Sequence, residues 1–148
     1  MSKRISYRGI IDAGLQEKIR LSTPKGKTGY KITKFQIISP DPGTSSVELI
    51  AKVYSKDQTG QISNDIDFTE NDLLAVAHFS ANGSSQTYPE DMVVIFDNEV
   101  FNQNIFVTAT DDSGSSKTNY YLELETVPLN DIQSTQLTLK NLRTIASR

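Results

Sequence analysis

Residues 92–110 constrain the fold more than any other stretch of this sequence. Two runs rich in β-branched and aromatic residues, 93–96 and 105–110, flank a polar segment of Asp, Asn and Gln. This pattern predicts two strands joined by a tight connection at the centre of the core. The first run is apolar at every position, so both faces of that strand should be covered, or one face should meet a partner.

The rest of the chain up to residue 129 contains further short extended segments. They are separated by turn residues at about the 8–12-residue spacing that is typical of β-sandwiches. The apolar positions change face near Lys34 and Phe35, which predicts a β-bulge or a strand crossing. The further predicted strands are 4–8, 18–22, 30–38, 47–54, 66–68, 73–80 and 119–127, the last joined to the central pair by a hairpin loop at 111–116.

Residues 130–148 change to a helical pattern. Asn130 or Asp131 can cap a helix, and the following apolar residues fall three or four positions apart. Because Thr and Ser lower the helix propensity, this segment needs a surface to pack on. It is the best candidate for an arm that binds a partner. The helix face that this spacing predicts comprises Ile132, Gln136, Leu139, Leu142 and Ile145 or Ala146, of which all but Gln136 are apolar.

We therefore predict an all-β chain. Residues 1–129 should form an antiparallel β-sandwich of about eight strands, jelly-roll-like in its connections, and residues 130–148 a C-terminal helix or helical arm. At 148 residues the chain is one domain by the usual size range, with an appended arm.

Charge is distributed unevenly along the sequence. Residues 1–34 contain nine basic and two acidic residues, a net charge of +7, and the remainder contains six basic and sixteen acidic residues, a net charge of −10. Such a chain can dock against an acidic surface or another copy through complementary fields. Alternatively, these charges only solvate the outer faces of strands. Nucleic acid is not an expected partner, because no Arg-rich run or known binding motif accompanies the basic residues.

Composition narrows the possible chemistry. The sequence contains no cysteine, which excludes disulfides, thiolate metal sites and cysteine nucleophiles. No apolar run approaches the roughly 18 residues that a membrane span needs, and residues 1–4 lead into an alternating segment rather than an apolar signal segment. We expect neither a membrane contact nor a recognisable export peptide.

Five segments carry a family resemblance: 27–37 (KTGYKITKFQI), 41–43 (DPG), 94–103 (VIFDNEVFNQ), 119–125 (NYYLELE) and 139–143 (LKNLR). Together they resemble a family of small virion proteins of marine tailed phages, over nearly the whole chain. The resemblance implies a structural component of a phage particle, and it brings no catalytic residues with it.

On these grounds we predict a non-enzymatic virion protein that assembles in many copies in the host cytoplasm, as a capsid decoration or cement protein. Its partners would be the major capsid protein or other virion proteins, together with copies of itself, and no cofactor is expected. The basic N-terminal third would meet an acidic surface on a neighbour, and the helical tail would clamp an adjacent subunit. The predicted partner-binding residues are Lys3, Arg4, Arg8, Tyr88, Leu139, Leu142 and Arg143.

Two other functions stay open. A tail-associated receptor-binding or glycan-binding module would need an exposed aromatic platform, for which Tyr54 and Tyr88 are the candidates. A small hydrolase would need the only histidine, His78, in an open cleft beside a serine or a carboxylate, and no nucleophile-elbow motif accompanies it. The carboxylates at 65–72 and 111–112 could bind Ca²⁺, but neither group has the spacing of a twelve-residue calcium loop, so solvated turn carboxylates are expected.

Overall fold

The computed structural model describes residues 3–21, 26–41, 46–81, 90–96, 99–112 and 114–146, with the backbone alone described for residue 90 and residues 141–146. These residues form eight strands and one helix. The elements are β1 (Arg4–Ile11), β2 (Leu15–Ile19), β3 (Thr28–Ile38), β4 (Val47–Tyr54), β5 (Leu73–Ala81), β6 (Glu90–Ile95), β7 (Ile105–Asp111), β8 (Thr118–Pro128) and α1 (Asp131–Ala146).

Two antiparallel sheets pack face to face as a sandwich. The three-stranded sheet has the order β1-β8-β3, and the five-stranded sheet has the order β2-β7-β4-β5-β6. The pairing is nested, because the first strand pairs with the last, the second with the seventh, and the fourth with the fifth. Nested antiparallel pairing of eight strands in two sheets is the connectivity of a jelly roll. The predicted antiparallel sandwich with a C-terminal helix is therefore confirmed.

The fourth nested pair is incomplete. β3 and β6 lie against each other on one side of the sandwich, but β3 ends the three-stranded sheet and β6 ends the five-stranded sheet. The two strands therefore leave an open seam between the sheets, where a closed jelly roll would have a ladder of hydrogen bonds.

The core lies between the sheets and follows the two-residue period of the strands. On β8, Leu122 and Leu124 are fully buried, whereas Tyr121 and Glu123 face outward and are partly exposed. β7 is buried along its whole length. Residues 105–110 thus lie at the centre of the core, as predicted.

The predicted pairing within residues 92–110 is wrong. β6 pairs with β5 at the edge of its sheet, whereas β7 pairs with β2 and β4, so β4 and β5 separate the two strands. An uninterrupted apolar run is compatible with both a central and an edge strand, so the sequence did not distinguish them. The segment 111–116 likewise joins β7 to β8 in the opposite sheet and is not a hairpin loop.

Local turns explain the other differences. The tight turn at Asp12, in which the Leu15 amide donates to the Asp12 carbonyl and Gly14 has a φ of +82°, starts β2 three residues earlier than predicted. The predicted strand at 66–68 is part of a loop. The predicted irregularity in β3 is confirmed by a register shift between Ile32 and Lys34.

Candidate functional site

Loop 55–72, here called the covering loop, lies over the outer face of the five-stranded sheet. The Lys52 ammonium on β4 donates a hydrogen bond to the Asp65 carbonyl. Within the loop, the Gln58 amide donates to the Asp72 carboxylate at 2.9 Å. Seven side chains that point outward from this sheet are buried rather than solvated: Ile50, Lys52, Tyr54, Leu73, Val76, Thr108 and Thr110.

The prediction that Tyr54 belongs to an exposed aromatic platform is wrong. Tyr54 is only 3% exposed, because it packs in a cluster with Leu73, Val76 and Phe96 on the covered face. The Lys52 ammonium lies 5.7 Å from the centre of its ring, and burial lowers the pKa of Lys52. The second platform candidate, Tyr88, lies outside the described residues.

His78 lies on the outer face of the same sheet. Its Nε2 atom is 3.5 Å from the Glu48 carboxylate, and its backbone pairs with Met92 of the edge strand. A carboxylate is thus near the histidine, as the hydrolase alternative required, but the pair lies on a sheet face and not in the groove described below.

The acidic residues considered for Ca²⁺ serve other roles in the structure. Asp67 accepts hydrogen bonds from the Thr69 hydroxyl and amide at 2.6 and 2.9 Å, which lower the pKa of Asp67, as expected for a turn carboxylate. Asp72 is buried, contrary to the expectation of solvation. Among the residues that the structure describes, no three metal-ligating side chains cluster.

The outer face of the three-stranded sheet is open to solvent in the described part of the chain. The central strand β8 presents the acidic Glu123 and Glu125, and the flanking strands β1 and β3 present basic residues. Arg4 donates to the Glu123 carboxylate at 3.3 Å. The fold therefore converts the charge separation along the sequence into an acidic stripe between two basic ones. Exposed residues on this face are Arg4, Ser6, Arg8, Ile10, Lys34, Gln36 and Ile38.

A groove of about 700 Å³ lies at one end of this open face and extends across the edge of β3 to the seam. Ile10 and Ile38, which are 50% and 49% exposed, stand on β1 and β3 opposite the same β8 residue, Asn119. We call this feature the isoleucine groove. The residues of its lining that matter below are Arg8, Ile10, Gln36, Ile38, Asp91 and Tyr121.

Helix α1 begins with a capping box. The Gln133 amide donates to the Asn130 side chain at 2.8 Å, and the Asn130 amide donates to the Gln133 side chain at 3.1 Å. This confirms Asn130 as the predicted cap. Among the described helical side chains, Ser134 is buried and Leu137 and Thr138 are half-buried, so this face packs on the sandwich.

Asn102 fastens the helix to the body. Its buried amide nitrogen lies within hydrogen-bond distance of the Gly26 carbonyl at 3.0 Å, the Thr138 hydroxyl at 3.3 Å and the Ser134 carbonyl at 3.4 Å. Gly26 has a φ of +62°, and a Cβ atom there would lie 3.0 Å from that nitrogen. The helix is therefore held against its own sandwich and does not extend as a free arm.

The opposite side of the helix carries apolar residues. Ile132 is 70% exposed and Leu139 is 50% exposed, and we call this pair the outward helix face. Ion pairs of Lys27 with Asp131 at 2.9 Å and of Lys140 with Glu99 at 3.0 Å hold the described part of the helix. The predicted stripe is thus presented to solvent at these two positions, and the side chains of its members beyond Lys140 lie outside the description.

The predicted partner-binding residues fall on these two surfaces in part. Arg8 lines the isoleucine groove, Arg4 lies on the same open face, and Leu139 lies on the outward helix face. The Lys3 amide donates to the Thr126 hydroxyl at 2.9 Å. Tyr88 and the side chains of Leu142 and Arg143 lie outside the description.

Sequence reasoning missed both groove isoleucines. A signal was present, because each residue belongs to an Ile-Ile pair, 10–11 and 37–38, at the end of an alternating strand. Successive side chains of a strand point to opposite faces, so one isoleucine of each pair must face outward.

No protein-family model matches this chain, and no curated protein matches it. A solved chain of the Bacillus endospore appendages, described as a novel family of disulfide-linked pili, is 10% identical in sequence, with a TM-score of 0.33 over 88% of this chain and 92% of that chain. A similarity of this size carries no functional inference. The present sequence has no cysteine. In its described residues no helix is both long enough and apolar enough to cross a membrane.

Proposed function

We propose that this chain is a non-enzymatic structural protein of a phage particle, present in many copies and bound to the capsid as a decoration or cement protein. The observation that carries the proposal is the presence of two separate surfaces with exposed aliphatic side chains, the isoleucine groove and the outward helix face. The sequence resemblance to small phage virion proteins supports the assignment to a particle.

Both surfaces have the properties of contact sites. They present aliphatic side chains next to charged ones, and exposed apolar patches with a polar rim mark places where proteins associate. Both are held on rigid parts of the molecule, the groove by paired strands and the helix by Asn102. A rigid surface loses little conformational entropy on binding.

The charge stripes of the open face support specificity in such a contact. Arg4 is paired with Glu123 within the chain, whereas Arg8 lies at the groove beside Tyr121. Charges at the rim of an interface fix its register and speed the encounter more than they add affinity. We propose the major capsid protein or another virion protein, together with further copies of this chain, as the partners.

The test is the location of the protein in purified phage particles. We expect many copies on the head surface by electron microscopy and by quantitative mass spectrometry of the particles. Deletion of residues 130–148 should abolish particle association while circular dichroism retains the β signal. Absence of the full-length protein from purified particles contradicts the proposal, and retained association after the deletion contradicts the role of the helix.

A further inference from the structure

The isoleucine groove and the outward helix face match in length. Ile10 and Ile38 lie two strand spacings apart, which is about 10 Å. Ile132 and Leu139 are seven residues apart, which places them about 10.5 Å apart along the helix and on the same side of it. Each surface therefore presents two aliphatic side chains at nearly the same separation.

The charges on the β1 and β6 sides of the groove have opposite signs. Arg8 lies on β1, two residues before Ile10 and on the same outward side of the strand. Asp91 on β6 lines the far end, across the seam from Ile38. The β1 side of the groove thus carries a positive charge beside Ile10, and the β6 side carries a negative charge beyond Ile38.

The outward helix face has the opposite order of charges. Asp131 immediately precedes Ile132, and Lys140 immediately follows Leu139. Both charged side chains are more than half exposed. A helix laid across the groove with its acidic end at β1 would bring Asp131 near Arg8 and Lys140 near Asp91, in addition to their ion pairs with Lys27 and Glu99 in the same chain. The same placement would bury both pairs of aliphatic residues.

A chain cannot place its helix in its own groove. Helix α1 packs next to the start of β3, where Asn102 bonds to Gly26, and the groove lies at the other end of β3, at Ile38. The eleven residues of β3 span about 35 Å. The helix that fits the groove must therefore come from another molecule.

We propose that the isoleucine groove binds the outward helix face of a second copy of this chain, in a head-to-tail contact. Because helix and groove lie at opposite ends of the three-stranded sheet, each bound copy still offers one free helix and one free groove. Such heterologous contacts build chains or closed rings. The inference deepens the proposed function and rests on it, since that function requires many copies at neighbouring positions.

The test uses two full-length variants that each disable one half of the contact. Ile38→Glu disables the groove, and Leu139→Glu disables the outward helix face with a residue that favours helix. Sedimentation velocity should show assemblies larger than dimers for the wild-type chain. Each variant alone should associate roughly tenfold or more weakly, because a charge replaces a buried aliphatic contact.

The mixture of the two variants gives the sharpest result. One intact helix and one intact groove remain in an equimolar mixture, so we expect dimers and nothing larger. Met92→Glu is the matched control, since Met92 is an exposed apolar residue on the other sheet, and it should associate like wild type. Circular dichroism and urea unfolding verify that each variant is folded. If Ile38→Glu or Leu139→Glu unfolds, the milder single variants Ile38→Thr and Leu139→Gln are used in their place.

Three results overturn the inference: a wild-type chain that stays monomeric at millimolar concentration, a mixture that forms no dimers, or a Met92→Glu variant that is as defective as the other two. If the chain is monomeric but present in purified particles, the head-to-tail contact fails and the proposed function stands. If the mixture forms dimers but particles lack the protein, the contact stands and the proposed function fails.

Discussion

The two outer faces of the sandwich differ in what covers them. Part of the outer face of the five-stranded sheet lies under the covering loop, and outward residues such as Ile50 and Tyr54 are buried there, whereas Met92 at the edge is exposed. The outer face of the three-stranded sheet has exposed isoleucines and charged residues in the described part of the chain. The same strand pattern therefore gives one face that contributes to folding and one that remains available for contact.

The difference has an energetic basis. Each aliphatic or aromatic side chain buried under the covering loop contributes about 1.5–3 kcal/mol to folding, whereas Ile10 and Ile38 contribute about half of that while half exposed. The remaining apolar area on the open face can be buried only by another molecule. Substitutions on the two faces should thus have different effects on stability and on association.

We expect the largest contrast in stability between substitutions of Tyr54, under the covering loop, and Tyr121, on the open face. Tyr54→Ala should lower the free energy of unfolding by about 3–5 kcal/mol, because it leaves a cavity under the covering loop. Tyr121→Ala on the open face should cost about 1 kcal/mol or less, since that side chain donates one hydrogen bond, to Glu123, and lies near Lys34. Urea unfolding measures both values, and equal costs would show that the two faces do not differ.

A smaller effect is expected for the attachment of the covering loop. Gln58→Ala removes a donor from the buried Asp72 carboxylate and should cost about 1–3 kcal/mol. Amide hydrogen exchange should accelerate across residues 55–72 and stay unchanged in β1 and β8. Asn64→Ala, which removes an exposed bond to Asp112, is the control and should leave exchange near the wild-type rate. Unchanged exchange in Gln58→Ala would show that this bond does not hold the loop.

The connection between the two sheets should respond to pH. Tyr120 on β8 donates to Glu17 on β2 at 2.9 Å, and burial, followed by this bond, raises the pKa of Tyr120. The folded chain keeps the phenolic proton at pH values where the unfolded chain loses it, from about pH 10. The contribution of Tyr120 to stability is therefore full below pH 10 and decreases as the pH rises further.

Tyr120→Phe should cost about 1 kcal/mol at neutral pH and should make stability fall less steeply above pH 10. Urea unfolding between pH 7 and pH 11 measures both effects. Identical slopes for the variant and the wild-type chain would contradict the role of Tyr120.

The smallest effect is expected for the charge stripe on the open face. Arg4→Ala breaks an exposed pair with Glu123 and should cost less than about 1 kcal/mol, with the difference disappearing in 1 M salt. Arg8→Ala should change stability by less than about 0.5 kcal/mol. In the proposed assembly, however, Arg8→Ala should weaken self-association more than Arg4→Ala. Equal effects of both variants on association would contradict the place of Arg8 in the contact.

The sequence predicted the individual strands and the helix better than it predicted which strands and loops lie next to one another. The alternation of apolar and polar residues predicted most of the strands. The change of face near Lys34 predicted the β-bulge, and Asn130 predicted the helix cap. Each of these features depends only on residues that are close together in the sequence. The position of residues 93–96 at a sheet edge and the burial of Tyr54 depend on distant chain segments. Local patterns contain no information on which segment covers a face, and the sequence pattern predicted a short strand at 66–68 within what is the covering loop.

Side-chain footprinting with hydroxyl radicals, applied to the dilute monomer and to the assembled protein, measures which surfaces of the chain become buried on assembly. Oxidation of Ile38, Tyr121 and Leu139 should decrease on assembly, while oxidation of Met92 and Phe68, which are exposed at and beside the other sheet, should stay the same. Protection of Met92 and Phe68, with Ile38 and Leu139 unchanged, would contradict the head-to-tail contact.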